Sequence, residues 1–178
     1  MSGAELLATR DVYRGRIVHL ALERVRLPND HVVELEVVHH RGAAAAVPLL
    51  DDGRVALVRQ YRHAASGWML EVPAGTLAAG EAPEACAARE IAEETGYRAQ
   101  RLEPLGWVWT TPGFTDERIW LYLATGLEPG GQTLDDDEVL AVELLPFADA
   151  VARAEAGEIC DGKSVCALLR AAARLGGG

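Results

Sequence analysis

Residues 75–97 read GTLAAGEAPEACAAREIAEETGY, and the fold follows from how that stretch is punctuated. Pro83 stands where the first turn of a helix tolerates a residue without an N–H. Gly96 stands where a helix can end in a left-handed residue. The spacing predicts a helix over residues 83–95 with Glu90, Glu93 and Glu94 crowded at its end. Like charges three or four residues apart weaken a helix by a few tenths of a kcal/mol per pair, about 0.2–0.5. A bound cation would offset that cost. On such a helix Glu90 and Glu94 share a face and Glu93 lies beside them. Several carboxylates on one face suit a hard cation such as Mg²⁺ or Mn²⁺, which takes oxygen ligands and keeps waters that a phosphate can replace. Arg89 is placed to orient a carboxylate through paired hydrogen bonds.

Outward from this helix the chain reads mainly as strands. Residues 16–27 and 31–40 flank a Leu27-Pro28-Asn29-Asp30 turn and predict a hairpin. Residues 43–50 and 54–60 flank Asp51-Asp52-Gly53 and predict a second one. Residues 68–72, 102–109, 118–125 and 139–145 predict further strands, and residues 127–137 a loop. Residues 147–156 and 163–175 predict helices, and residues 176–178 a frayed tail. Strands with a few helices, outside a regular β-α-β alternation, give an α+β class.

The chain has 178 residues, a net charge of −10 and 25% charged residues. That is room for one core-forming domain with a small additional element. An acidic chain lacks the Lys/Arg face that grips nucleic acid phosphates or an anionic membrane surface. Cys86, Cys160 and Cys166 form no CxxC pair, so reduced thiols in a cytoplasmic protein are expected. No apolar run in residues 1–20 suits a signal peptide, and no stretch suits a membrane span.

The stretch from Gly75 through Glu81, Arg89, Glu90, Ile91, Glu93, Glu94 and Gly96 to Tyr97 matches G-x5-E-x7-R-E-U-x-E-E-x-G-U, U being apolar, at every defined position. On that match the chain resembles the Nudix hydrolase family. Pro112 lies sixteen residues after Gly96, inside TPGFTDE. With YRGRI at residues 13–17, VRQYR at 58–62 and LEVPAG at 70–75, it resembles the ADP-ribose pyrophosphatase branch. The resemblance runs from about residue 10 to residue 170. It implies a Nudix fold, an α/β/α sandwich with a mixed sheet, plus an N-terminal β-rich extension. Residues 1–42 would form that extension, which dimerises and helps bind nucleotide, and residues 43–178 the hydrolase domain.

The same resemblance implies Mg²⁺ or Mn²⁺ held by Glu90 and Glu94. Glu93 would be a further ligand or a partner of one, contributing to catalysis, and the Ala74 carbonyl would complete the set. Gly75, Glu81 and Arg89 are implied as supporting residues. Arg62 is implied at the phosphates, Arg14 or Arg16 near the nucleotide, and Pro112, Gly113 and Phe114 at the substrate. A loop carboxylate in LDDDEV, residues 134–139, is implied as the catalytic base: Glu138 first, Asp136 next. The expected activity is metal-dependent hydrolysis of ADP-ribose, or a close nucleoside diphosphate sugar, to AMP and a sugar phosphate by a homodimer. The alternatives are another nucleoside diphosphate derivative as substrate and a Nudix module that binds a nucleotide without cleaving it. Trp68 reads as a residue that stacks or packs, packing first, Cys86 as a buried residue, and His39, His40 and His63 as surface or packing residues.

Overall fold

The computed structural model describes residues 3–133 and 139–176. The chain divides into two compact units. The first comprises Met1–Gly42 together with Trp109–Arg118. Its strands β1 (Glu5–Arg14), β2 (His19–Arg26) and β3 (Val32–His39) form an antiparallel sheet in the order β1-β2-β3. The hairpin expected around Pro28 is the β2–β3 pair, with Arg26 opposite Val32 and His19 opposite His39. Leu27 N–H donates to the His31 carbonyl at 2.8 Å, and Asp30 takes a left-handed φ of 65°. Asp tolerates that conformation because its short side chain bonds locally.

The second unit comprises Ala43–Val108 and Ile119–Gly178. Its strands are β4 (Ala43–Pro48), β5 (Arg54–Arg62), β6 (Gly67–Glu71), β7 (Ala74–Thr76), β8 (Tyr97–Trp109), β9 (Arg118–Pro129) and β10 (Leu140–Pro146). Its helices are α1 (Pro83–Glu90), α2 (Phe147–Glu155) and α3 (Gly162–Gly176). One sheet has the order β7-β4-β9-β8, and the other β10-β5-β6. The first is mixed: β4 runs parallel to β9 and antiparallel to β7.

All six residues of β4 are buried, and it is rich in alanine. The reason is that helices cover both of its faces. Ala44 and Ala46 pack with Cys86, Ala87 and Ile91 beneath α1. Ala43, Ala45 and Val47 pack with Ala150 of α2 and with Ala167, Leu168 and Ala171 of α3. The alternation follows the two-residue strand period. β9 repeats it, with Leu121 and Leu123 on the α3 side and Tyr122 and Ala124 on the α1 side. Large side chains such as Leu57, Ile91, Leu121 and Leu168 are fully buried, each stabilising the fold by about 1.5–3 kcal/mol. The unit is an α/β/α sandwich of α+β class.

Two expectations need correcting. The second hairpin does not form as a ladder. Its turn is present, with Leu50 N–H donating to the Arg54 carbonyl at 2.8 Å and Gly53 at φ 82°. Yet both edges of β4 are occupied by β7 and β9, so β5 joins the other sheet and only Leu49 and Val55 bridge. The helix expected over residues 83–95 is α-helical only to Glu90, and Ile91–Thr95 is a π-helical turn. Such turns are rare and concentrate at functional sites. Gly96 ends it at φ 73°, as its sequence position implied. No helix among the described residues is long and apolar enough to cross a membrane.

Candidate active site

Within the second unit, α1 and the π-helical turn bring their carboxylates onto β7. Glu94 is 2% exposed, and its Oε2 accepts a hydrogen bond from the Ala74 N–H at 3.1 Å. Glu90, also buried, lies over Gly75. A Cβ on Gly75 would stand 1.8 Å from Glu90 Oε1, so a side chain there would push that carboxylate out of its place. Gly75 is held opposite Ala44 by the β4–β7 ladder, and Cys86 Sγ reaches its carbonyl at 3.4 Å. Cys86 is fully buried, and burial first, then the nearby Glu90 and Glu81 charges, push its thiol up to about 12. It is buried and packs in the core, as read.

Arg89 ties the cluster together. Its Nε donates to Glu81 Oε1 at 3.0 Å and its Nη2 to Glu81 Oε2 at 3.1 Å. Its Nη1 donates to Glu90 Oε1 at 2.7 Å and to Glu93 Oε2 at 2.8 Å. Glu81 also accepts from the Ala78 N–H at 2.8 Å, which clips the loop before α1. The Arg89 fork and the Ala78 amide hold the Glu81 carboxyl down at about 2. Glu81 in turn does most to raise Arg89, which stays charged at any working pH.

Among the described residues, no three His, Cys, Asp or Glu side chains converge into a ready metal shell. Arg89 draws Glu90 and Glu93 to itself, while Glu94 turns to the Ala74 amide. The donor chemistry nevertheless fits a hard cation. Two buried carboxylates close on one short strand, and the Gly75 cradle exists to admit one of them. Mg²⁺ needs only one or two carboxylates from the protein, with waters and substrate phosphates supplying the rest.

The other expected site residues fall as follows. Arg62 turns its fork onto Glu71, at 2.9 and 2.8 Å. Glu71 is 1% exposed and also accepts from Lys163 Nζ, whose second partner is Asp161 at 2.9 Å. Burial alone would raise the Glu71 carboxyl, but Arg62 and Lys163 hold it below the usual range. Arg14 is exposed on β1, 3.0 Å from Asp11 and 3.1 Å from His19. Arg16 is exposed in the turn after β1. Pro112, Gly113 and Phe114 are exposed in the loop between β8 and β9. Glu138 and Asp136 lie outside the described residues. Just before them, Thr133 N–H donates to the Glu93 carbonyl at 3.1 Å and Gln132 Nε2 to the Glu94 carbonyl at 2.6 Å. Trp68, read as stacking or packing, is half-exposed and meets Tyr61 edge-on, ring centroids 5.8 Å apart.

Sequence reasoning missed the Glu71–Lys163–Asp161 group. Its one signal was an acid at the end of the apolar strand β6, since a buried carboxylate needs a cationic partner. It also missed His39, which sits between the carboxylates of Asp116 and Glu23.

A carboxylate-lined helix packed on a mixed-sheet sandwich defines a class, and comparison gives that class its name. The NUDIX domain profile matches residues 39–167, and the chain belongs to the Nudix domain family. It is 36% identical over 164 residues to an ADP-ribose pyrophosphatase of Bacillus subtilis (strain 168), covering 91% of this chain and 89% of that protein. It is 37% identical over 168 residues to an ADP-ribose pyrophosphatase of Mycobacterium tuberculosis (strain H37Rv), covering 93% and 81%. A solved structure described as an ADP compounds hydrolase superposes with a TM-score of 0.86 at 23% identity, covering 99% of this chain and 96% of that one. At that identity the likeness speaks for the fold.

Proposed function

We infer that this chain is a Nudix pyrophosphohydrolase that cleaves the pyrophosphate bond of ADP-ribose, giving AMP and a sugar phosphate. The observation that carries the reading is the closure of buried Glu90 and Glu94 on Ala74–Gly75, with Arg89 fixing the cluster from outside. The two pyrophosphatase relatives support the substrate. Glu90 and Glu94, with Glu93 and the Ala74 carbonyl, would hold Mg²⁺ or Mn²⁺. When bound, such ions stabilise charge on the phosphate oxygens and lower the pKa of a bound water. A carboxylate, Glu138 or failing it Asp136, takes the proton from the attacking water. The water oxygen bonds to phosphorus as the bridging P–O bond breaks. Arg62 contributes phosphate contact through its fork, with Lys163 left on Glu71 to compensate that buried charge. Pro112, Gly113 and Phe114, with Arg14 or Arg16, contact the nucleotide.

The test is hydrolysis across ADP-ribose, ADP-glucose, GDP-mannose, NADH, diadenosine polyphosphates and 8-oxo-dGTP with Mg²⁺. ADP-ribose is expected to lead by about tenfold or more in kcat/KM, a gap of about 1.4 kcal/mol in transition-state binding. A different leader overturns the substrate, and no turnover of any compound with either Mg²⁺ or Mn²⁺ overturns the enzyme reading.

Residues 1–42 serve as the dimerisation element in the same reading. Leu6, Val12 and Tyr13 of β1 and Ile17 in the turn after it are all exposed there, and exposed apolar groups on and beside one small sheet suit a partner surface. Light scattering at micromolar concentration is expected to give twice the 19.1 kDa chain mass. A monomeric mass contradicts the dimer.

A further inference from the structure

The loop of residues 110–117 is built to hold one aromatic ring outward. Its base is closed by Thr110 N–H donating to the Glu117 carbonyl at 3.2 Å and by Thr110 Oγ1 donating to Glu117 Oε2 at 2.8 Å. The Arg118 guanidinium sits 4.7 Å from the Trp109 ring centroid just outside that base. Inside the loop, the amides of Phe114 and Thr115 both donate to the Thr111 carbonyl at 3.1 Å. Phe114 is left 54% exposed. A single exposed phenylalanine is ordinary in itself; its role here comes from the reading of Pro112–Phe114 as substrate contacts.

The back of the loop is fastened to β3. Val38 N–H donates to the Phe114 carbonyl at 2.7 Å, and Asp116 N–H donates to the Val38 carbonyl at 3.2 Å. The Asp116 carboxylate then grips the end of the strand twice. Oδ1 accepts from the His40 N–H at 2.7 Å, and Oδ2 lies 2.6 Å from His39 Nδ1. The other ring nitrogen of His39 lies 3.1 Å from Glu23 Oε1 on β2. His39 thus bridges the loop to the sheet.

We propose that His39 is a positioning residue for the nucleotide-contacting loop: its imidazolium clamps Asp116 to β2 and β3, and so fixes Phe114 for substrate binding. This rests on the reading of Pro112–Phe114 as substrate contacts.

The chemistry follows from the hydrogen-bond inventory. Both ring nitrogens of His39 face carboxylates, and only the imidazolium can donate at both. Neutral imidazole keeps one donor and loses the charge-assisted bond at the other side. The facing groups are Asp116 on the loop and Glu23 on β2. The His19 ring on β2 lies 5.3 Å away, with Asp11 of β1 at 2.6 Å and Arg14 at 3.1 Å from its Nε2. Beside His39, the His40 ring lies 3.4 Å from Glu117. Two carboxylates on His39 outweigh the effect of burial, and Asp116 does most to raise its pKa above the ordinary 6.5. The sign is therefore fixed. The clamp is complete below about pH 6.5, and it is lost as pH rises through the raised folded value.

The test compares wild type, His39→Phe and Asp116→Asn. Asp116→Asn is nearly isosteric and covers the case in which His39→Phe folds poorly. Hydrogen exchange of a peptide spanning residues 110–117 reads the loop without any substrate. Both variants are expected to exchange there about tenfold faster while the α1 peptide is unchanged. KM for ADP-ribose is expected to rise about fivefold or more with kcat within about twofold, because binding geometry changes and chemistry does not. Wild-type KM rises towards alkaline pH, whereas the His39→Phe profile is flat. Unchanged loop exchange in both variants overturns the clamp, as does a fall in kcat at constant KM. If wild type fails to turn over ADP-ribose, the enzyme reading falls, while the exchange comparison still decides the clamp.

Discussion

Replacing Glu94 by glutamine is expected to lower kcat/KM for ADP-ribose by about 10³-fold or more, roughly 4 kcal/mol of transition-state stabilisation, while the protein stays folded. Glu94 is nearly fully buried, and its Oε2 accepts the Ala74 N–H. A glutamine carbonyl can accept the same bond, so β7 keeps its place. What disappears is an anionic oxygen in the site proposed to hold a divalent cation. Glu93→Gln is expected to cost less, because its side chain is 40% exposed and pairs with Arg89 rather than with the backbone. Steady-state kinetics with a thermal melt of each variant checks both statements. Turnover of Glu94→Gln within about tenfold of wild type, with an unchanged melt, contradicts the role given to Glu94.

The second large effect concerns stability. Glu71→Gln is expected to destabilise the fold by about 3 kcal/mol, the low end for breaking a buried ion pair. For a chain of this length that lowers Tm by roughly 6–12 °C. Glu71 is 1% exposed and is met by Arg62 and by Lys163, whose side chain is itself only 11% exposed. With glutamine in place, both cations face a neutral amide, and Lys163 keeps only Asp161. The pH dependence has a definite sign. Arg62 and Lys163 overcome the effect of burial and hold the Glu71 carboxyl below its unfolded value of 4.5. Its contribution is therefore fully present above about pH 4.5 and is lost as pH falls through the folded value. The Tm gap between wild type and variant should narrow in acid. A gap under about 2 °C at pH 7 contradicts the account of this network.

The Nudix helix was legible because its packing onto β7 fixes a register. Glu90 must pass over a residue with no side chain, so Gly75 and Glu90 keep a constant spacing, and Gly96 must be left-handed. The sandwich was legible in outline because strand and helix periods show wherever one face is buried. What escaped did so for physical reasons. All ten residues of β1 are exposed, so no buried face writes an alternation into its sequence. β7 has three residues, too few for any period. The partners of β4 lie far along the chain, so the local turn after it suggested a hairpin that the sheet order does not contain. The π-helical turn uses ordinary helix-forming residues and leaves no composition signal. Glu71 and Lys163 are 92 positions apart, and His39 and Asp116 are 77 apart. Such pairings belong to the fold and become visible only when the strands are in place.

The central claim is that buried glutamates of the Nudix helix support metal-dependent cleavage of ADP-ribose. Phosphorus NMR of ADP-ribose incubated with the protein, first with chelator and then with excess Mg²⁺, tests it most directly. The expected result is an unchanged pyrophosphate doublet under chelator. On adding Mg²⁺ it should be replaced by two phosphomonoester signals, one from AMP and one from the sugar phosphate. A pyrophosphate signal that persists with excess Mg²⁺ and with Mn²⁺, or one that vanishes equally fast under chelator, contradicts the account.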